Sequence, residues 1–397
     1  MRTEKLYESD SHLSQFEAEV LSCEKSDDKY KIILDKTAFF PEGGGQYGDI
    51  GKIGGADVLD TVIENGEIIH YTDLPLEINK SFFCSLDFKR RFAFMQNHSG
   101  EHIVSGIFHK KFGFDNVGFH LGEDVVTLDI NGLVDRKTLD ETEYEANKAV
   151  WSNLNVKAYF PDEKELEALE YRSKKEIDGK LRIVEIEGID RCACCAPHVN
   201  STGEIGIIKL LDFEKLRGGT RIYMKCGEFA LDDYRNKYEN IKSISNLLSS
   251  KQETAAKSVI SLSEKLNLAE LKIKNLKSDL TFEKIKNLDI NCRIYFEENS
   301  DMKALQLMAD FAYKSLKHSV WIFSKSENSY SFAVCGEENS LAEDFKKVSS
   351  QLNIRGGGRN GIRQGTVNET KEKTEEVIEK IYGLDRNKSD SSVGQNR

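Results

Sequence analysis

Proline and long apolar runs are scarce in this sequence. It contains four prolines, none after Pro197, which argues against long irregular linkers and leaves room for unbroken helices. No apolar run approaches the roughly 20 residues needed to cross a bilayer, and the N-terminus lacks a signal-peptide core. We therefore expect a protein without a membrane segment that stays in the cytoplasm, where it is made.

An excess of positive charge is also absent. The 56 Lys and Arg residues are outnumbered by 67 Asp and Glu residues, which gives a formal net charge of -11. This balance argues against simple electrostatic attraction to nucleic acid. Any contact with nucleic acid must therefore depend on local groups of positive side chains.

The remaining composition is that of a globular protein. With 397 residues, of which 39% are apolar, the chain is long enough for two or three domains of roughly 100–200 residues each. Its eight cysteines do not form the dense, paired framework of a small secreted domain, so we expect them to stay reduced. Cys192, Cys194 and Cys195 crowd one turn, a pattern more typical of metal binding or chemistry than of disulfides.

The hydrophobic pattern predicts an α+β protein. Short β-type runs separated by Gly, Asn and Asp predict an N-terminal β-barrel part, or a sandwich, over 1–88. Residues 89–227 mix helical and strand patterns and are predicted to form an α+β domain. A compact α/β domain is predicted at 286–385, followed by a polar, disordered tail at 386–397.

Residues 228–285 carry a different pattern, with apolar residues three and four apart over about seven heptads. This pattern predicts a long coiled-coil-type helix or a helix pair. A lone helix would expose too much apolar surface, so the stripe must be covered by a second chain or by folding back at a polar stretch such as Ser249-Ser250 or Asn267. We expect a homodimer built from residues 228–383.

Two histidines, His98 and His102, are four residues apart in a segment with helical periodicity. On a helix they would lie one turn apart on one face, where a single metal can bridge them. The spacing alone is weak evidence, because two core or surface histidines are more common. The acidic residue between them, Glu101, does not stand where the H-E-x-x-H metalloprotease pattern requires it.

A second candidate is the pair Cys194 and His198, separated by three residues. Thiolate and imidazole together are ligands that Zn²⁺ prefers, and with the two upstream histidines they complete a tetrahedral set. The alternative is an inert, buried cysteine cluster. On spacing alone, Cys192 or Cys195 could replace Cys194 as the ligand.

The third candidate is a glycine-rich segment, K-T-A-F-F-P-E-G-G-G-Q, over 36–46. Its three consecutive glycines, Gly43, Gly44 and Gly45, permit positive φ angles and close approach to a ligand. No Gly-Lys-Ser/Thr follows, so the segment is not a phosphate-binding P-loop. The alternative is an ordinary turn between strands.

Together, these motifs resemble the editing domain of alanyl-tRNA synthetase, which free-standing alanyl-tRNA editing proteins share. The resemblance is carried by T-A-F-F-P-E-G-G-G-Q, H-x-x-x-H and C-x-x-x-H with a following G-G-T-R-I-Y-M-K-C-G. In addition, R-G-G-G-R at 355–359, followed by Gln364-Gly365, resembles the C-terminal domain that follows the editing domain in the synthetase. One difference is that Cys195, Ala196 and Pro197 replace the family's Gly-Gly-Thr before the last histidine, which leaves the substrate preference open.

The resemblance implies an enzyme that hydrolyses the ester of mischarged tRNA(Ala) carrying serine or glycine, with its catalytic domain at 89–227. Because the sequence shows no aminoacylation domain, we expect a long-form protein that acts in trans. The resemblance also implies Zn²⁺ held by His98, His102, Cys194 and His198, and a pocket lined by Thr37, Glu42 and Gln46, with Thr37 contacting the serine hydroxyl. The expected tRNA contacts are Lys89-Arg90-Arg91, Lys346, Lys347, Arg355, Gly356, Gly357, Gly358, Arg359 and Arg363. The alternatives are a non-catalytic, zinc-stabilised RNA-binding or dimerisation protein and, less favoured because the Asp-His-His motif is missing, a related nuclease.

Overall fold

The computed structural model describes residues 3–122, 124–173, 181–326 and 329–384. The chain forms two compact units, Met1–Asn246 and Leu247–Arg397, and each contains both helices and strands. This mixed content agrees with the predicted α+β class. Among the described residues, none of the helices has the length and apolar character required to span a membrane. The predicted tail at 386–397 lies outside the described residues.

Short strands dominate the beginning of the first unit. They are β1 (Glu4–Lys5), β2 (Gln15–Ser26), β3 (Lys29–Leu34), β4 (Lys36–Thr37), β5 (Gly51–Ile53), β6 (Ala56–Glu64), β7 (Glu67–Thr72) and β8 (Ser81–Leu86). A closed barrel forms in the order β2-β3-β7-β6-β5-β8, while β1 pairs in parallel with β4. The glycine-rich segment therefore connects a short strand beside the barrel, β4, to a strand of the barrel itself, β5.

Alternating side chains explain why these segments form a barrel. Along β2, Phe16, Ala18 and Val20 are buried, whereas the residues between them are more exposed, so one face of the strand fills the barrel core. The hairpin between β6 and β7 turns at Asn65-Gly66, both with positive φ. An Asn-Gly turn of this kind matches the twist of the paired strands.

The rest of the first unit combines helices with two antiparallel sheets. Its elements are α1 (Phe88–Phe112), β9 (Asn116–Leu121), β10 (Val126–Ile130), α2 (Arg136–Trp151), β11 (Val156–Tyr159), α3 (Glu163–Ala168), β12 (Ile183–Ile186), β13 (Asp190–Ala193), β14 (Ile208–Leu216), β15 (Gly219–Cys226) and α4 (Gly227–Leu247). The sheet orders are β14-β15-β10-β9 and β11-β12-β13. Both sheets contribute buried side chains to the same apolar core as α1.

Helix α1 is central to this unit. The Asp87 side chain caps its first turn by accepting a hydrogen bond from the Arg90 amide, and Gly113 ends it with a φ of 68°. Every residue from 93 to 108 is buried, including polar ones. A helix buried on all sides is normally apolar throughout. The polar residues in α1 therefore require partners inside the protein, and the candidate metal ligands are among them.

The second unit contains one five-stranded sheet with helices. Its elements are α5 (Ala255–Lys286), β16 (Ile294–Glu297), α6 (Met302–Leu316), β17 (Trp321–Ser326), β18 (Ser329–Cys335), α7 (Glu338–Ser349), β19 (Ile354–Gly357), β20 (Ile362–Val367) and α8 (Lys371–Tyr382). The strand order is β16-β17-β18-β20-β19. Two apolar clusters fill this unit, one containing residues of α5 and α6 and the other residues of α7 and α8.

The predicted helical region at 228–285 is a pair of helices rather than one. Helix α4 ends at Leu247 and α5 begins at Ala255. Between them, Ser249 adopts a positive φ of 49°, at one of the polar stretches where a turn was predicted. Along α5, apolar side chains of the predicted stripe are exposed in the described chain, including Val259, Leu262, Leu266, Leu276 and Leu280.

The C-terminal glycine segment is mainly a strand. Gly356 and Gly357 belong to β19, and Gly356 pairs with Gly365 of β20. A Cβ atom on Gly356 would lie 2.2 Å from the Gln364 carbonyl oxygen, and one on Gly358 would lie 2.2 Å from the Ile362 carbonyl oxygen. Close approach of the neighbouring strand therefore explains these two glycines without a phosphate ligand.

Candidate metal centre

Two elements bring the predicted ligands together. Helix α1 places His98 and His102 one turn apart, with ring centroids separated by 5.5 Å. The loop after β13 supplies Cys194 and His198. One ligand atom from each of the four residues lies within 4.8 Å of the others. The three imidazoles are buried and Cys194 is half-buried, so the cluster is largely withdrawn from solvent.

Each imidazole is oriented by a different partner on its Nδ1 atom. These partners are Gln46 Oε1 for His98 at 3.0 Å, Asp190 Oδ2 for His102 at 2.9 Å, and Ser99 Oγ for His198 at 3.1 Å. Because Nδ1 is engaged in all three rings, Nε2 is the atom left for a metal. Metal-binding histidines usually have their second nitrogen held in this way.

The distances within the cluster fit a tetrahedral ion. Cys194 Sγ lies 3.6 Å from His98 Nε2 and 3.4 Å from His198 Nε2. For zinc, typical metal–sulfur and metal–nitrogen lengths at a tetrahedral angle predict a sulfur–nitrogen separation of about 3.5 Å. Three nitrogens and one sulfur also form a normal zinc ligand set. The residues present therefore fit a divalent ion of this type.

The three cysteines differ in their ability to form a thiolate. Burial opposes ionisation of Cys194, but the charges of His98 and His198, with hydrogen bonds from His102 and His198, hold its pKa well below the usual value. Burial raises the pKa of Cys192 to about 12, and partial desolvation together with the neighbouring charge of Cys194 raises that of Cys195, although Cys195 is exposed. Because the thiolate binds metal, geometry and electrostatics both favour Cys194.

Asp190 links the centre to an arginine that the sequence reasoning did not identify. Its carboxylate accepts hydrogen bonds from His102 and from Arg172, whose Nε and NH2 atoms lie 2.7 and 2.8 Å away. Burial disfavours its charge, but these donors outweigh burial and lower the pKa of Asp190 to about 2. Asp190, His102 and Cys192 also form a second possible ligand group, but the Asp190 carboxylate is already engaged by His102 and Arg172. A carboxylate four residues before Cys194 was the available sequence signal.

The glycine-rich segment lies against this centre. Gly43 and Gln46 exchange two backbone hydrogen bonds, and Gly44 and Gly45 have φ angles of 61° and 84°. A Cβ on Gly45 would lie 2.8 Å from Phe119, and one on Gly44 would lie 4.0 Å from Cys195 Sγ. The tight turn therefore delivers the Gln46 side chain, which is 1% exposed, to His98.

The other predicted pocket residues are placed differently. Glu42 is exposed, whereas Thr37 is fully buried and its hydroxyl lies 2.9 Å from His70 Nε2. Burial lowers the pKa of His70 to about 4, and its Nδ1 bonds to the Ile32 carbonyl at 3.1 Å. The neutral ring therefore donates from Nδ1 and accepts from the Thr37 hydroxyl, which in turn accepts from the Phe39 amide at 3.1 Å.

The basic run at 89–91 is not a free surface patch. Lys89 pairs with Glu228 at 2.8 Å, and Arg90 donates to the Gly48 carbonyl at 2.8 Å. Arg91 is fully buried, with its Nε 2.9 and 3.0 Å from the carboxylate oxygens of Asp49. Arg91 also donates to the Ala38 carbonyl, so it positions the glycine-rich segment relative to α1. The burial of Arg91 does not match its predicted role in binding tRNA, because a sequence run cannot show which positive side chains turn inward, whereas the exposed Lys89 stays a predicted contact.

In the second unit, the predicted arginines separate into two groups. Arg355 and Arg359 are exposed on and beside β19. Arg363 is 7% exposed and its NH2 lies 2.7 Å from Glu338 Oε1. Glu338 also accepts a hydrogen bond from the Gly361 amide, so Arg363 stabilises the turn between β19 and β20. Its burial does not match the predicted phosphate contact.

The first unit thus combines a β-barrel with an α/β region that carries a largely buried three-histidine, one-cysteine cluster, a candidate metal site with a glycine-rich turn against it. The family described as "Threonyl and Alanyl tRNA synthetase second additional domain" matches residues 181–223. The chain belongs to the alanyl-tRNA editing protein family. It is 30% identical to alanyl-tRNA editing protein AlaX-L of Pyrococcus horikoshii, over 95% of this chain and 96% of that protein.

Two further relatives show how the domains are distributed. The chain is 37% identical to alanyl-tRNA editing protein AlaX-M of Saccharolobus solfataricus, over 56% of this chain and 98% of that protein. It is 27% identical to an alanine–tRNA ligase of Thermofilum pendens, over 96% of this chain but 44% of the ligase. The similarity to the ligase therefore extends through both units of this chain. The shorter editing protein, AlaX-M, corresponds to little more than half of this chain.

Proposed function

We propose that this protein is a trans-acting hydrolase that removes a wrong amino acid from tRNA(Ala). The observation that carries the proposal is the buried cluster of His98, His102, Cys194 and His198 beside the glycine-rich turn, in a chain that belongs to the editing family. The similarity to AlaX-L over nearly its full length supports action in trans. Serine and glycine are the proposed wrong residues, because one small group changes pocket binding by only about 1–3 kcal/mol and a second, hydrolytic selection is then useful.

Zinc is the proposed metal, held by His98, His102, Cys194 and His198. When bound, it supplies positive charge that either polarises a water molecule or holds the substrate's amino group and terminal ribose. Four protein ligands would leave no open position in a tetrahedral site, which argues against activation of a bound water molecule unless one ligand is displaced, and so favours a positioning role. Gln46, Asp190 and Ser99 keep the three imidazoles in the required tautomer and orientation.

Gln46 has a second role in this proposal. Its Oε1 accepts from His98, while its Nε2 is buried and has no hydrogen-bond partner among the described residues. A buried amide group without a partner is costly in a folded protein. We propose that the ester carbonyl of the substrate accepts from this Nε2, so that the same side chain orients a metal ligand and polarises the scissile bond.

Thr37 is proposed to recognise the serine hydroxyl. Its own proton is directed to His70 and one lone pair accepts from the Phe39 amide, which leaves one lone pair for another donor. Ile68 is two residues before His70 on β7 and packs in the same cluster as Phe40, Ala196 and Cys194, which connects this strand to the metal loop. The serine hydroxyl would donate to Thr37, a contact that alanine cannot make.

The second unit is proposed to bind the outer part of the tRNA and a second copy of the chain. The exposed Arg355 and Arg359 supply positive charge for phosphates. The exposed apolar stripe of α5 supplies the surface for a homodimer with coiled-coil character. Light scattering on the full-length chain tests the dimer, and a monomer at micromolar concentration would contradict it.

Deacylation assays with Ser-, Gly- and Ala-tRNA(Ala) test the proposed function. We expect release of serine, and more slowly glycine, with Ala-tRNA(Ala) left intact. Zinc analysis of the same sample separates this function from a non-catalytic, zinc-stabilised RNA-binding protein, which would contain metal and bind tRNA without releasing the amino acid.

A further inference from the structure

Arg182, immediately before β12, is a buried arginine that has no carboxylate partner among the residues that the structure describes. Its side chain donates from NH1 to the backbone carbonyls of Cys194 and Ala196, at 3.1 and 2.8 Å. The residue is 5% exposed, and within the described ranges its Nε has no hydrogen-bond partner. No carboxylate among the described residues forms an ion pair with it. Two carbonyl oxygens satisfy part of the guanidinium but do not neutralise its charge.

Among the described residues, the buried Arg91 and Arg363 and the partly buried Arg172 are paired differently. Arg91 contacts Asp49, Arg172 contacts Asp190, and Arg363 contacts Glu338. Burying a charge without an opposite charge is strongly unfavourable, and the protein avoids it at these three positions. Arg182 is therefore the exception among the buried arginines of the described chain.

The groups around Arg182 do not supply the missing charge in the metal-loaded protein. Glu8 pairs with Lys5 at 3.2 Å, and Tyr7 is buried, an environment that disfavours its charged form. The Cys194 thiolate is the remaining negative group. Its charge is taken up when it binds a divalent ion, because three neutral imidazoles and one thiolate leave such an ion with net positive charge.

We propose that Arg182 binds an anion of the substrate, namely the phosphate on the 5′ side of the terminal adenosine. Arg182 bonds to the carbonyl of the metal ligand Cys194, so an anion at its free edge would lie close to the reaction centre. In an aminoacyl-tRNA, that phosphate is the anionic group nearest the ester, because both are attached to the same ribose. Guanidinium groups bind phosphate oxygens with two parallel hydrogen bonds.

The loop that Arg182 supports is exposed at Cys195. Cys195, which follows the ligand Cys194, is exposed, and the exposed Gly44 of the glycine-rich turn lies opposite its sulfur. The loop that Arg182 supports therefore reaches the surface beside the turn that delivers Gln46. The inference rests on the proposed function, since it identifies which part of the substrate this site would bind.

A pair of minimal substrates tests the inference. We would compare 3′-O-seryl-adenosine with the same ester carrying a 5′-phosphate, using the full-length zinc-loaded protein. Because hydrogen bonds to charged groups are strong, the wild-type protein should prefer the phosphorylated ester by about tenfold to a hundredfold in kcat/KM. Arg182→Met should remove this preference, and Arg182→Lys should retain part of it. Equal rates for the two esters in the wild type, or an unchanged preference in Arg182→Met, would overturn the inference.

Arg191→Met is the matched control. Arg191 lies on the neighbouring strand β13 but has its own carboxylate partner, Glu185, at 2.5 Å, so its removal should leave the phosphate preference unchanged. Zinc content is measured for each variant, because Arg182 also supports the loop of Cys194. If Arg182→Met loses zinc, the decision rests on Arg182→Lys, which should bind zinc and show a smaller preference than the wild type.

Equilibrium binding separates failure of the inference from failure of the proposed function. NMR titration of the wild-type protein with 5′-AMP and with adenosine requires no hydrolysis. We expect 5′-AMP to have a lower Kd than adenosine, and we expect this difference in Kd to be smaller in Arg182→Lys. If no seryl ester is hydrolysed but this difference is present, the deacylase proposal fails and the anion site remains. If Ser-tRNA(Ala) is hydrolysed but 5′-AMP and adenosine bind equally, the anion site is wrong and the deacylase proposal remains.

Discussion

The two glycine triplets of this protein have the same composition, but the structure requires glycine in each of them for a different physical reason. In Gly43-Gly44-Gly45, two residues have positive φ angles and the turn directs Gln46 to His98, a proposed metal ligand. In Gly356-Gly357-Gly358, no positive φ occurs, and two of the three glycines permit close approach of the neighbouring strand. A run of glycines therefore indicates a backbone requirement, and the surrounding structure decides whether that requirement concerns a site or a sheet.

Loss of the metal should produce the largest effect, and it should be confined to the region of the first triplet. Cys194→Ser is expected to reduce bound zinc to background and to abolish deacylation, because the thiolate completes the ligand set. Metal analysis and the deacylation assay measure both. Cys195→Ser serves as the control and should keep zinc. If Cys194→Ser keeps its zinc while Cys192→Ser or Cys195→Ser loses it, the ligand assignment is wrong.

Asp190→Asn should weaken metal binding without removing it. The amide keeps the shape but loses the charge that holds His102 and Arg172, and loss of such a partner typically lowers metal affinity about 10–100-fold. Competition with a zinc chelator measures the change. Glu185→Gln, which removes the carboxylate paired with Arg191, is the control and should leave affinity unchanged. An unaltered zinc affinity in Asp190→Asn would show that Asp190 does not orient His102.

Alanine substitutions in the two triplets test their difference directly. Gly45→Ala should lower stability by about 1–3 kcal/mol, because it combines a positive φ with contact against Phe119, and should also slow deacylation by displacing Gln46. Gly356→Ala should destabilise the second unit while zinc content stays normal. Gly357→Ala, whose Cβ meets open space, is the control. Thermal unfolding and zinc analysis distinguish the two sites, and a loss of zinc in Gly356→Ala would contradict this separation.

Removal of the second unit should affect tRNA binding more than chemistry. A chain ending at Asn246 retains the barrel, the metal cluster and α4, and it should keep zinc and ester hydrolysis. We expect KM for Ser-tRNA(Ala) to rise about tenfold, because a few phosphate contacts are lost, with kcat nearly unchanged. Steady-state kinetics at two salt concentrations measure this change. An unchanged KM would mean that the second unit does not bind the tRNA.

Thr37→Val should have the smallest effect, on specificity. It removes the hydroxyl that is proposed to accept from the serine side chain, a contact worth about 0.5–1.5 kcal/mol, or a few-fold to about tenfold. Ser-tRNA(Ala) hydrolysis should slow more than Gly-tRNA(Ala) hydrolysis, which is the internal control. If both slow equally, Thr37 supports the architecture of the site rather than selecting the substrate.

Local sequence patterns predicted the secondary-structure elements and the residues of the candidate site better than the hydrogen bonds and ion pairs that those residues form. The spacing of His98 and His102 indicated one helix face, because residues four apart on a helix are neighbours. The Cys194 ambiguity could not be resolved from spacing, since the difference arises from the three imidazoles that surround one sulfur. Arg91 and Arg363 were predicted as surface charges and are buried, because their partners Asp49 and Glu338 are 42 and 25 positions away.

The sequence by itself determined the mixed helix and strand content, the helical spacing of two metal ligands, the long amphipathic region and the family to which the motifs point. Each of these depends on residues that are close together in the chain, so periodicity, motif spacing and turn chemistry are sufficient to predict it. Only the tertiary structure decided that Gln46, Asp190 and Ser99 orient the three histidines, and that Arg182 is buried with no carboxylate partner in the described part of the chain. Most of these contacts join residues separated by about 50 to 100 positions, so they exist only after the barrel, α1 and the cysteine loop have packed together.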